Sequence, residues 1–83
     1  ISGNGGNGVW IGNAGATNNT VASNYIGLDP TGAFARPNAL NGVTLSGAGV
    51  SNRILGNTIS GNIQDGINVA STPASILEGN VVG

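Results

Sequence analysis

Apolar residues recur along the chain in bursts of two or three, with polar or small residues alternating between them. Val9-Trp10-Ile11, Val43-Thr44-Leu45 and Ile67-Asn68-Val69 each follow a short turn pair: Asn7-Gly8, Asn41-Gly42 and Asp65-Gly66. A second segment also recurs: Thr20-Val21-Ala22-Ser23-Asn24-Tyr25-Ile26-Gly27, Arg53-Ile54-Leu55-Gly56-Asn57-Thr58-Ile59-Ser60 and Ile76-Leu77-Glu78-Gly79-Asn80-Val81-Val82-Gly83. Each copy reads as a strand, a small residue, an Asn and a second strand. The opening Ile1-Ser2-Gly3-Asn4 matches Ile59-Ser60-Gly61-Asn62. The chain therefore repeats a cycle of three short strands, and an all-β fold is expected.

Like segments return only after a full cycle, so they cannot pair as hairpins. Each must stack in parallel on its counterpart in the next cycle. Side chains alternate across a strand. The alternation predicts four inward aliphatic columns: Val9/Val43/Ile67, Ile11/Leu45/Val69, Val21/Ile54/Leu77 and Ile1/Ile26/Ile59/Val82. The whole of 1–83 forms one unit, with turns of about 1–25, 26–58 and 59–81. The middle turn is longer because of an insertion at 28–40. Within it, Asp29-Pro30-Thr31-Gly32 has Pro at the second position of a type I turn.

The turn residues gain roles from this arrangement. Asn-Gly and Asp-Gly before the first strand read as Asx-type turns, with Gly tolerating positive φ at the corners. Asn24, Asn57 and Asn80 fall at one corner. Stacked in register, their amides are expected to bond along the column as an Asn ladder. Such a ladder satisfies buried polar groups without charge.

Composition narrows the chemistry. The 83 residues include 16 Gly and 13 Asn but only five charged side chains: Arg36, Arg53, Asp29, Asp65 and Glu78. Without Cys or His there is no thiolate–imidazole metal site and no Cys or His nucleophile. Two Arg and no Lys make no surface for a phosphate backbone, so no nucleic-acid partner is expected. Apolar runs are too short for insertion into a membrane. With no Met, the sequence reads as a trimmed protein or an excerpt of a longer one.

The G-N-x-I-x-G and N-G-[VI]-x-[IVL] pattern resembles the right-handed parallel β-helix repeat family of secreted and cell-surface bacterial and archaeal proteins, which share a pectate-lyase-like fold. The resemblance covers essentially the whole chain and extends to Gly27-Leu28-Asp29-Pro30-Thr31-Gly32 and the following Pro37-Asn38-Ala39-Leu40-Asn41-Gly42-Val43. It implies a β-solenoid of about three turns and an extracellular or cell-surface location. It carries less about function, since one fold hosts many activities. Lyases of this fold use stacked acidic residues for Ca²⁺ and a basic residue as base. Here the three carboxylates fall in different columns or loops, so no catalytic residue, metal or cofactor is assigned. Asp65 occupies a turn column, Asp29 precedes Pro30, and Glu78 shares an outward column with Ala22 and Leu55, one rung from Arg53.

Neither end shows a capping element, although solenoids usually carry one. Uncapped strand edges are templates for another chain. The expected function is therefore structural: a subunit or repeat of a filament or stalk that assembles with itself, head to tail, by strand stacking. The end-face residues are Val9, Trp10 and Ile11 at one end and Val81 and Val82 at the other. The rival expectation is a glycan-binding or adhesin module, and a further one is a non-catalytic fragment of a polysaccharide lyase or hydrolase. For lateral or glycan contacts the candidates are Trp10, Tyr25, Phe34, Leu55 and Ile76, with Trp10 or Tyr25 alternatively covered by the insertion. Asn18-Asn19-Thr20 is a glycosylation sequon.

Overall fold

A computed structural model describes residues 1–83. It is all-β, without a helix, and contains nine short strands. They are β1 (Val9–Gly12), β2 (Thr20–Ala22), β3 (Tyr25–Ile26), β4 (Val43–Ser46), β5 (Arg53–Leu55), β6 (Thr58–Ile59), β7 (Ile67–Ala70), β8 (Ile76–Glu78) and β9 (Val81–Val82). These form three parallel three-stranded sheets in the orders β1-β4-β7, β2-β5-β8 and β3-β6-β9. The chain thus visits the three sheets in the same sequence three times.

The register agrees with the column assignment. Val9 pairs with Val43 and Val43 with Ile67, while Ile11, Leu45 and Val69 align two residues on. Val21, Ile54 and Leu77 align in the second sheet. Ile26, Ile59 and Val82 align in the third. Ile1 extends that last column: its amino group donates to the Tyr25 carbonyl at 2.7 Å, and its carbonyl accepts from Gly27 N–H at 2.8 Å. The core lies between the sheets, where Ile11, Ile26, Val43, Leu45, Ala48, Ile54 and Ile59 cluster.

The insertion is narrower than the expected 28–40. Asp29 C=O accepts from Gly32 N–H at 3.0 Å, as the Asp-Pro-Thr-Gly turn requires. Leu28 then pairs antiparallel with Ala35, and Arg36 N–H donates to Gly27 C=O at 2.8 Å. A small hairpin therefore leaves and rejoins the turn at neighbouring points. Asn38 is already back in the stack, completely buried.

The glycines of the Asn-Gly and Asp-Gly pairs serve a different purpose from the one expected. Gly8, Gly42 and Gly66 do not have positive φ. They are small because the turns press together: a Cβ on Gly8 would lie 2.6 Å from the Gly42 carbonyl oxygen, and one on Gly42 2.6 Å from that of Gly66. A Cβ on Gly66 would collide with the Val82 side chain.

Left-handed backbone occurs at other corners instead. Ser23, Gly56 and Gly79 have φ of 57°, 61° and 64° and immediately precede Asn24, Asn57 and Asn80. Asn18, Ser51 and Ala74 do the same before Asn19, Asn52 and Ser75. Ala74, at φ 49°, has no polar side chain to offset the conformation. Left-handed φ costs a non-Gly residue ~1–2 kcal/mol, and Gly loses some of that gain through unfolded-state entropy. Ala74→Gly is therefore expected to stabilise the fold by about 0.5–1 kcal/mol. Urea denaturation reads this as a higher midpoint; an unchanged or lower midpoint would mean that the corner is not strained.

Candidate assembly interface

The middle turn is sealed on both sides; the outer turns are open in part, Ile11 of β1 being already buried at 8% exposure within the core cluster that Ala16 packs against. Val43, Leu45, Ile54 and Ile59 are fully buried. Their counterparts on the C-terminal face are open: Val69 is 43% exposed, Leu77 42% and Val82 50%. At the other face Ile1 is 46% exposed, and Val9 and Val21 are half-buried. The aliphatic columns that make the core thus run out to the C-terminal face, and all but the Ile11 column are also open at the N-terminal face. β1 and β2 form edges at one end, and β7, β8 and β9 at the other.

The residues expected at these faces divide by the direction of their side chains. Val9, Ile11 and Val82 lie in the inward columns. Trp10 pairs with Thr44, and Val81 with Thr58, in outward columns, so they lend the edges only their backbone. Val21, Val69 and Leu77 complete the end faces. They follow from the same column rule but were not among the end-face residues named from the sequence.

Asn ladders hold the corners. Asn57 Oδ1 accepts from Asn24 N–H at 2.9 Å and Asn24 Nδ2 at 3.1 Å. Asn80 Oδ1 accepts likewise from Asn57, at 3.0 and 3.1 Å. The remaining amide hydrogens of Asn57 and Asn80 go to the carbonyls of Val21 and Ile54. This is the ladder expected from the repeat.

Two further Asn columns carry the same pattern. Asn4 donates through N–H and Nδ2 to Asn38 Oδ1, and Asn38 does so to Asn62 Oδ1. Asn19 donates in the same way to Asn52 Oδ1. That column ends at Ser75, aligned above Asn52 by the β5–β8 pairing, whose buried hydroxyl has no partner. Serine is too short to continue the ladder. The signal for these columns was present in the sequence. Asn4 and Asn62 already matched, and each residue of the Asn19 column directly precedes a β2-type strand.

A fourth column runs the other way. Asn41 N–H donates down to Asn7 Oδ1 at 3.1 Å, and Asp65 N–H donates down to Asn41 Oδ1 at 2.9 Å. Thr44 joins it, accepting from Asn41 Nδ2 and donating to Asn7 Oδ1, both at 2.9 Å. Asn7, Asn41 and Asp65 are therefore rungs of a ladder between turns. The Asx-type bonds within each turn, expected from the sequence, are replaced by these longer-range ones. Cross-turn acceptors satisfy the N–H of the residue above, which a local Asx bond would leave unpaired.

The outer surface holds the lateral candidates. Trp10 is 59% exposed and lies across Gly12, where a Cβ would strike its ring; the hairpin does not cover it. The Tyr25 ring rests on Gly32 of that hairpin, which a Cβ at Gly32 would meet 2.9 Å away. Phe34 points to solvent at 70% exposure, so it covers neither aromatic. Leu55 is half-buried and Ile76 exposed. Arg53 is in register with Ile76, and Glu78 with Leu55, so the two charges sit in different columns. An open cleft of about 280 Å³ lies beside Tyr25, with Ser23, Asn24 and Asp29 on its wall.

Asp29 sits in a marked environment in the hairpin turn. The Thr31 hydroxyl, donating to Asp29 Oδ1 at 2.7 Å, holds the carboxyl below its ordinary value. Desolvation opposes this, and N–H groups of Ala33, Phe34 and Thr31 reinforce it. A carboxyl depressed in the folded state contributes stability above its unfolded pKa and loses it as pH falls through the lower folded value. The hairpin turn is therefore expected to stay intact at pH 5–8 and to loosen only below the ordinary carboxylate pKa of 3.8. Amide chemical shifts of Thr31 and Ala33 followed through an acid titration test this. A midpoint at or above 3.8 would contradict it.

No family model, curated protein or solved structure matches the chain. No helix is long and apolar enough to cross a membrane.

Proposed function

We propose that the chain is a right-handed parallel β-helix, of the repeat family that its sequence resembles. In this reading it is a structural, non-enzymatic subunit or repeat of an extracellular or cell-surface β-solenoid filament or stalk. Growth occurs head to tail. β1 and β2 of one unit stack on β7 and β8 of another, and the aliphatic columns run on through the junction. The observation that carries this reading is the contrast between sealed and open turns of one column: Leu45 and Ile54 have no exposure, whereas Val69 and Leu77 above them are more than two-fifths exposed. Adding another turn would do to the C-terminal face what that face does to the middle turn. Burying a large aliphatic side chain fully is worth ~1.5–3 kcal/mol, so closing the half-open columns contributes several kcal/mol per junction. A contact between unlike faces does not close on itself, so it builds a filament.

Ile1 and Val82 belong to one column. In a covalently continuous array a single residue fills that slot. Between separate copies, Ile1 of one and Val82 of the other contest it, and one must yield. Electron microscopy of the 83-residue protein tests the reading. Thin fibres are expected, with an axial repeat near three strand spacings, ~14 Å, formed faster when Ile1 and Ser2 are removed. A monodisperse monomer for both forms at high concentration would sink the proposal.

The cleft beside Tyr25 favours one alternative, a glycan contact, because an aromatic face adjoining a carboxylate and an amide suits a sugar ring. Titration with cell-surface oligosaccharides would then show binding that Tyr25→Ala removes and that requires no assembly.

A further inference from the structure

The four side-chain ladders have a direction, and it differs between columns. In the Asn24, Asn4 and Asn19 columns each turn donates upward, toward the C-terminal face. In the Asn7 column each turn donates downward. The ends are therefore left with complementary groups. At the C-terminal face, the N–H groups of Asn80 and Asn62 have no acceptor within the chain, while Asp65 Oδ1 receives no donor. At the N-terminal face, the Oδ1 atoms of Asn24 and Asn4 receive no donor and Asn7 N–H has no acceptor.

We propose that Asp65 accepts a hydrogen bond from Asn7 N–H of a second copy of this chain. Together with the oppositely directed Asn80-to-Asn24 and Asn62-to-Asn4 bonds, this contact sets the direction and register of stacking. The inference rests on the head-to-tail reading above and adds what selects it. Stacking like faces would bring Asn80 and Asn62 donors against donors, or Asp65 against a second Asp65. A shift of register would pair Asp65 with an Asn Oδ1, acceptor against acceptor. Only unlike faces in the native register satisfy every group. Asp65 stands where the column has Asn in the other two turns. An ionised carboxylate is acceptor-only, which suits a position whose second oxygen already takes Asn68 Nδ2 at 3.2 Å.

Disulfide trapping tests this in a protein with no cysteine of its own. Thr20, Arg53 and Ile76 form one outward column. In the proposed stack, Thr20 of one copy sits above Ile76 of another at about one strand spacing, ~4.8 Å, within disulfide reach. Mixing Thr20→Cys with Ile76→Cys under mild oxidation is expected to give mixed dimers and few Ile76→Cys homodimers. Adding Asp65→Ala to the Ile76→Cys partner is expected to slow trapping about tenfold, the scale of one lost charged hydrogen bond. Asp65→Asn keeps an Oδ1 acceptor and should remain within about twofold of the parent. Homodimers of Ile76→Cys in place of mixed dimers would overturn the assigned direction. Parent-like rates for both Asp65 variants, or equal slowing by both, would overturn the role of Asp65 and leave stacking intact. No trapping in any mixture would remove the stacking reading and this inference together.

Discussion

Asn57→Ala is expected to lower the melting temperature by about 15 °C, and Asn57→Asp by at least as much. Asn57 is essentially inaccessible to solvent. Its Oδ1 takes two donors from Asn24. Its Nδ2 supplies the Val21 carbonyl at 2.9 Å and Asn80 Oδ1 at 3.1 Å. Alanine leaves Asn24 N–H, the Val21 carbonyl and Asn80 Oδ1 short of partners at once. An orphaned buried polar group costs ~1–3 kcal/mol, and water reaches the outer ones in part, so a loss near 3 kcal/mol follows. In a domain of this size each kcal/mol moves the melting point by ~4–8 °C. Aspartate has the same shape but turns the two donated hydrogens into a charged acceptor facing two acceptors. Asn24→Ala is the contrasting case. Asn24 Oδ1 receives nothing within the chain, and its backbone N–H remains to serve Asn57, so the cost should be about 1 kcal/mol. Thermal unfolding followed by circular dichroism reads all three. Equal melting points for the Asn57 and Asn24 variants would mean that the ladder does not carry the corner.

Val82→Asp is expected to abolish stacking while the monomer stays folded. Val82 is 50% exposed, so the free chain can hydrate a carboxylate there at small cost. A second copy above it would enclose the charge with no partner, at a cost of several kcal/mol, which slows or reverses assembly by more than a hundredfold. Val81→Asp is the control. Its side chain points outward and is 67% exposed, so an added turn does not cover it. Light scattering over a concentration series should show assembly for the parent and Val81→Asp but not for Val82→Asp. Assembly blocked by Val81→Asp and spared by Val82→Asp would instead assign the association to the lateral surface, where Trp10 and Ile76 are also exposed.

These expectations depend on features that differ in how openly the sequence carries them. The strand columns were legible because strand alternation has a period of two and each segment recurs in order. Once Val9, Val43 and Ile67 are aligned, every other residue in those strands is placed. The Asn24 column was legible for the same reason, since each Asn sits at a constant distance from its strands. Asn38 was hidden by the preceding Pro37 and by the hairpin at 28–35, which together made 28–40 look like one loop. Asn52 is less legible, because its column ends in Ser75 and so does not repeat an Asn in every turn.

The sequence by itself determined the cycle of three strands, the parallel register and the inward residues. Each follows from local alternation combined with recurrence, and needs no knowledge of distances. Only the tertiary structure decided which way each ladder points. An Asn side chain offers a donor and an acceptor, and the backbone entering the corner chooses between them. Left-handed residues before Asn57 and Asn52 present Oδ1 downward to Asn24 and Asn19 in the turn below, and the corner at Asn7 and Asn41 presents it upward. It also decided that Gly8, Gly42 and Gly66 are small because turns touch there, a contact between residues far apart in the chain. Composition alone shows many Gly and Asn; the direction of their bonds depends on backbone geometry that composition does not encode.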